Sequence, residues 1–137
     1  MAPPYPDELR VSLTTSSGIS YNLVWKDGSL EYRSYNQHFD PTRMERIEPS
    51  LESWNELWQG LEAADTWNWQ ARYLSPAEAD GIQWQITLRL GDRGIRSYGD
   101  NAFPGGVQAP EGLSAPSPQF QVFHQALKHL IGGLPLE

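Results

Sequence analysis

The chain has 137 residues, enough for one domain whose core needs neither disulfide nor metal. It contains no cysteine, which excludes disulfides, thiol catalysis, iron–sulfur clusters and cysteine-ligated zinc. A net charge of −7 argues against nucleic acid or an anionic membrane as partner, because phosphate binding needs clustered Lys and Arg; only a local basic spot would reverse that expectation.

Residues 1–7 (MAPPYPD) are proline-rich and read as a flexible arm. They lack the basic and apolar regions of a signal peptide, and no apolar run reaches the roughly 20 residues of a membrane span. A cytoplasmic protein is therefore expected. Leu9, Val11 and Leu13 alternate with Arg10, Ser12 and Thr14, and after a turn at SSG the alternation resumes through Tyr21, Leu23 and Trp25. Period two means strands with one buried and one wet face. Asp27-Gly28 then predicts a two-residue hairpin turn, since both positions accept positive φ. That turn places Trp25 opposite Leu30, Leu23 opposite Tyr32 and Asn22 opposite Arg33, so apolar meets apolar and polar meets polar.

The stretch 36–49 reads as a connector. A helix follows, with Leu51, Trp54, Leu57, Trp58 and Leu61 on one face, capped by Ser50 or Ser53, slightly weakened by Gly60 and fading near Asp65. In DTWNWQARY (65–73) the residues Trp67, Trp69, Ala71 and Tyr73 share one parity, which predicts a short strand. From Gly81 a strict alternation puts Trp84, Ile86 and Leu88 on one face and Gln83, Gln85, Thr87 and Arg89 on the other. GDRG (91–94) turns the chain into a shorter strand over Ile95 to Tyr98. A Gly/Pro-rich stretch follows, with 105–116 expected to be a flexible loop. Ser117-Pro118 starts a second helix that buries Phe120, Phe123, Leu127 and Leu130 and ends at Gly132-Gly133.

These elements predict a single α+β domain over 1–137. The architecture is a two-layer sandwich: a mainly antiparallel sheet of about 5–6 strands with two amphipathic helices packed on one face.

Chemistry is harder to find in the sequence. His38-x-Asp40 offers two metal ligands with no third at a recognisable spacing, and no nucleophile turn, phosphate loop or dinucleotide fingerprint occurs. No cofactor, no metal site and no catalytic residue is predicted. Two places carry the interest. Arg89, Arg93 and Arg96 gather on the last hairpin, beside the polar face of Gln83, Gln85 and Thr87, where an acidic protein segment or a phosphorylated ligand would dock. Asp100 and Asn101 lie in a glycine-flanked loop around Phe103, which either presents backbone donors or anchors a tight turn.

The leading expectation is a non-enzymatic module that binds a protein, in one form an acidic inhibitor or immunity-type protein whose acids at 40–65 steer a basic partner. The alternative is a small-molecule or carbohydrate binder using Trp67, Trp69, Tyr73 and the 99–106 loop. A hydrolase built on His38, Asp40 and Asp100 ranks last.

Overall fold

The protein is described by a computed structural model that covers residues 5–15, 17–74, 81–105 and 116–136. Most of the arm and most of the 105–116 loop lie outside the described residues. The elements run β1 (Glu8–Thr14), β2 (Ser20–Lys26), β3 (Ser29–Tyr35), β4 (Pro41–Ile47), α1 (Leu51–Ala63), β5 (Arg72–Leu74), β6 (Gln83–Leu90), β7 (Arg93–Asp100) and α2 (Pro118–Leu130). The strands form one seven-stranded sheet in the order β4-β3-β2-β1-β6-β7-β5. All neighbours are antiparallel except β5, which runs parallel to β7.

The β2–β3 hairpin has the register its turn dictates. Asp27 and Gly28 take φ of 51° and 82°, and Trp25 meets Leu30, Leu23 meets Tyr32 and Asn22 meets Arg33. The sheet holds seven strands rather than five or six, because the 36–49 connector contains β4. Asn36 Oδ1 accepts from the backbone N–H of His38 and Asp40 and folds the turn that returns the chain as β4. His38 and Asp40 are therefore turn residues. β4 is an edge strand carrying Pro41, Arg43, Glu45 and Arg46, polar on both faces, as an edge guarded against further pairing must be.

The second correction falls on residues 66–73. Asp65 adopts a left-handed conformation at φ 55° after α1, and Thr66–Asn68 make one 3-10 turn. Only Arg72–Leu74 becomes a strand. The last hairpin is longer than expected, with β7 running from Arg93 to Asp100. At the N-terminus, Tyr5 stacks on Trp25 with ring centroids 5.6 Å apart, and Asp7 N–H donates to Arg89 O, so this part of the arm is held in place.

Both helices lie on the side of the sheet that bears Trp25 and Trp84, and their buried residues join the strand residues in one hydrophobic core. Trp25, Trp54 and Trp58 fill the α1 end, with Trp54 edge-on to Trp25 at 5.2 Å. Trp69, Trp84, Phe120 and Phe123 fill the α2 end. Ser50 caps α1 by accepting from Ser53 N–H, and Ser117 caps α2 by accepting from Phe120 N–H while donating to Pro104 O at 2.6 Å.

Gly60 is a contact, not a weak point. A Cβ there would lie 2.6 Å from the Cβ of Ala126 where α1 crosses α2. Gly60→Ala is expected to destabilise the fold by about 1–2 kcal/mol although alanine is the better helix former. Adding Ala126→Gly should recover most of that loss; urea titration of the single and double variants measures it.

Tyr32 pins the C-terminal segment, its hydroxyl donating to Pro135 O at 2.5 Å. Burial first, and the nearby Tyr21 second, push this phenol above its ordinary range. Because the folded chain holds the proton longer than the unfolded one, the Tyr32 contribution to stability is fully present below about pH 10. It is lost as pH rises from there through the folded value. Tyr32→Phe should flatten that alkaline fall in a pH series of melting curves, at a cost of about 1 kcal/mol near neutrality from the lost hydrogen bond.

Candidate functional site

The face of the sheet opposite the helices is covered by no described helix. Strand alternation decides its composition. On β1 the outward residues include Glu8, Arg10 and Ser12; on β2, Asn22, Val24 and Lys26; on β3, Glu31 and Arg33; on β4, Met44 and Arg46. On β6 they include Gln85, Thr87 and Arg89; on β7, Arg96, Tyr98 and Asp100; on β5, Arg72 and Leu74. Among the described residues, which include all ten Lys and Arg, seven cations thus share this one face with three acids, a net charge of +4. The described residues outside it carry three cations against ten acids, a net −7. An acidic chain has been sorted into a basic sheet surface and an acidic remainder.

The face is also hollowed. A depression of about 540 Å³ is lined by Arg10, Ser12, Asn22, Lys26 and Arg33 among others. A smaller one of about 140 Å³ shares Ser12 with it and adds Gln83, Gln85 and Tyr98. A third, about 630 Å³, shares Gln85 and Tyr98 with the second and adds Arg72, Leu74 and Arg96. The shared residues set these adjoining depressions in a row across the strands, here called the trough. Its line follows the cross-strand register Arg33–Asn22–Ser12–Gln85–Tyr98–Arg72. At the usual strand spacing, its five steps span about 24 Å. Beside it runs the row Glu31–Val24–Arg10–Thr87–Arg96.

The charges on this face are unevenly used. Arg10 lies 3.7 Å from Glu8 and Arg33 3.6 Å from Glu31, both exposed pairs of small worth. Arg46 donates to Ser29. Among the described residues no carboxylate pairs with Lys26, Arg72, Arg89 or Arg96. The acids at 40–65 contrast with them. Glu45 pairs with Arg43, Glu56 with His129 and Glu62 with Arg93, while Asp40 and Asp65 accept from Asn36 and Asn68.

The structure splits the arginine hairpin. Arg89 and Arg96 face the trough side, but Arg93 sits opposite Leu90 and so shares the helix side. There its guanidinium lies over the Trp67 ring, 4.6 Å from the centroid, and pairs with Glu62 of α1. The tryptophan stripe is divided as well. Trp69 is 5% exposed and its Nε1–H donates to Ala64 O. Tyr73 packs near Trp84, and its hydroxyl accepts from Gln70 N–H. Trp67 is half-buried beneath Arg93, so the three rings present no common exposed surface.

Asp100 lies on the sheet face opposite Gln83, whereas Asn101 is buried at φ 53° with its N–H bonded to Ile82 O. Ala102, Phe103 and Pro104 are buried behind it, and Ala102 O accepts from the Trp84 indole at 2.9 Å. The loop at 101–104 is an anchor for the core.

Arg10, Lys26, Arg33, Arg46 and Arg72 were not singled out by sequence reasoning. Parity supplied a signal for most of them, since each of the first three interrupts an apolar alternation at an outward position. Their convergence with Arg89 and Arg96 depends on β1 pairing with β6, a contact between distant segments. No protein-family model matches the chain, and no match to it is found among curated proteins.

Proposed function

We propose that the protein is a non-catalytic protein-binding module whose working surface is the sheet face opposite the two helices. The observation that carries this reading is the sorting of charge: seven of ten cations on one hollowed face of an acidic chain. Strands fix the backbone positions from which these side chains project, so binding need not order the backbone, although each long side chain still loses rotamer freedom. Several are not engaged by carboxylates of the described chain, which leaves them available to a partner. The acidic side serves the immunity-type form of the same reading less well, because five of the seven acids at 40–65 are already used in ion pairs or turns.

The test is a footprint. The chain is immobilised, partners are captured from its native lysate at low salt, and hydrogen exchange of the purified complex is compared with that of the free chain. Protection is expected over β1, β2, β6 and β7 with little change in α1 and α2. Protection centred on the outer faces of the helices would end this reading.

A further inference from the structure

We infer that the trough receives an extended acidic segment of a partner protein, laid across the strands with carboxylates towards both ends. This rests on the binding-module reading and specifies its ligand. The geometry of the trough is the reason. Its central line begins at Arg33 and ends at Arg72, with Asn22, Ser12, Gln85 and Tyr98 between. The two ends are cationic, and Arg96 lies beside Arg72 in the same depression. The middle is neutral but rich in hydrogen-bonding groups. Gln85 offers an amide donor and acceptor, Tyr98 a phenol and Ser12 a hydroxyl that itself donates to Asn22. Such a middle suits the peptide groups of a chain in transit; the Arg72 and Arg96 end suits carboxylates best, while at the other end Arg33, with Lys26 and Arg10 in the same depression, already neighbours Glu31.

Length agrees with that occupant. About 24 Å is covered by roughly seven residues of extended chain at 3.3 Å each. A nucleic acid strand fits poorly. It carries a phosphate at every nucleotide, so some would lie over the uncharged middle. Others would meet Glu31 and Asp100, which share the face with the arginines. An acidic protein segment can space its charges to avoid them.

The probe is a synthetic heptapeptide, Glu-Glu-Ser-Gly-Ser-Glu-Glu, with blocked ends, titrated into the isotopically labelled full chain and followed by amide chemical shifts. Controls are the same peptide with Gln for Glu, a Lys version and a heptathymidylate. Expected are shifts confined to β3, β2, β1, β6, β7 and β5, binding weakened about tenfold between 50 and 200 mM salt, and little response to the Gln and Lys peptides. Arg72→Gln with Arg96→Gln should weaken the acidic peptide at least fivefold while leaving the remaining spectrum in place. Shifts on the helices, equal binding of the Gln peptide, tighter binding of the oligonucleotide or no binding of the acidic peptide would each overturn the inference. If the acidic peptide fails while a captured native partner still protects the sheet face, the acidic-segment inference is lost and the binding-module reading stands.

Discussion

Replacing Arg72, Arg89 and Arg96 by Glu is expected to weaken an acidic partner about a hundredfold while leaving the melting temperature nearly unchanged. The three reversals each remove one positive charge and add one negative, taking the face from +4 to −2. Every reversal removes an attraction and adds a repulsion, each on the scale of an exposed ion pair, about 0.2–1 kcal/mol. Three of them sum to about 1–6 kcal/mol, and 1.4 kcal/mol is tenfold in affinity. Much of the loss should appear in the association rate, and it should shrink at high salt as the Debye length shortens. Stability changes little because these side chains are exposed and no carboxylate of the described chain pairs with them. The control is Glu48→Lys with Glu52→Lys on the acidic side, which alters the net charge by four units but should preserve binding. Surface plasmon resonance of all three proteins against the captured partner measures both effects. Strengthening by the Glu→Lys pair on the scale of the weakening by the arginine reversals would mean that overall charge, not the trough, governs association.

How much of this surface was legible depended on distance along the chain. The β2–β3 pairing followed residue by residue from Asp27-Gly28, because a two-residue turn leaves no freedom of register. The same logic assigns Arg93. A two-residue turn at Gly91-Asp92 places it opposite Leu90, and hence on the helix side, a reading available from the sequence but hidden by treating 91–94 as one loop. β4 left no such trace. An edge strand with solvent on its outer rim carries Arg43 and Glu45 on the helix side, where a central strand would carry apolar residues, and Met44 on the other, so its alternation is erased. Trp67 and Trp69 misled in a different way. Their spacing has strand parity, but Asp65 in the left-handed region and the 3-10 turn rotate the two indoles apart, one into the core and one under Arg93. The trough is the least local feature. Arg33 and Arg72 lie on one line only because β1 pairs with β6 after the whole of α1 has intervened, a long-range choice no window of sequence contains.

Gly99→Ala is the substitution expected to harm the fold most, and its position ties the core to the trough. Gly99 lies opposite Trp84 on the helix side of the sheet, and its missing side chain is the space the indole occupies. An added Cβ would overlap the Trp84 ring and come within 2.6 Å of Ala102 O. The indole cannot withdraw freely, since Trp69, Tyr73 and Phe120 pack around it. Moving it breaks the Nε1–H bond to Ala102 O and loosens the 101–104 anchor. Overpacking of about 1–3 kcal/mol joined to a buried donor left unpaired, about 1–3 kcal/mol, gives a loss near 4 kcal/mol, or a melting temperature lowered by about 10 °C or more. Trp84→Phe in the same chain should return part of that loss by making room, which a double-mutant cycle would register as favourable coupling. The neighbours of Gly99 carry the consequence to the other face, because Tyr98 and Asp100 point into the trough side on the same strand. A β7 displaced by the added methyl should therefore weaken acidic-peptide binding even at a temperature where the variant remains folded. Gly60→Ala, which strains only the contact between α1 and α2, should lower stability and leave that binding intact.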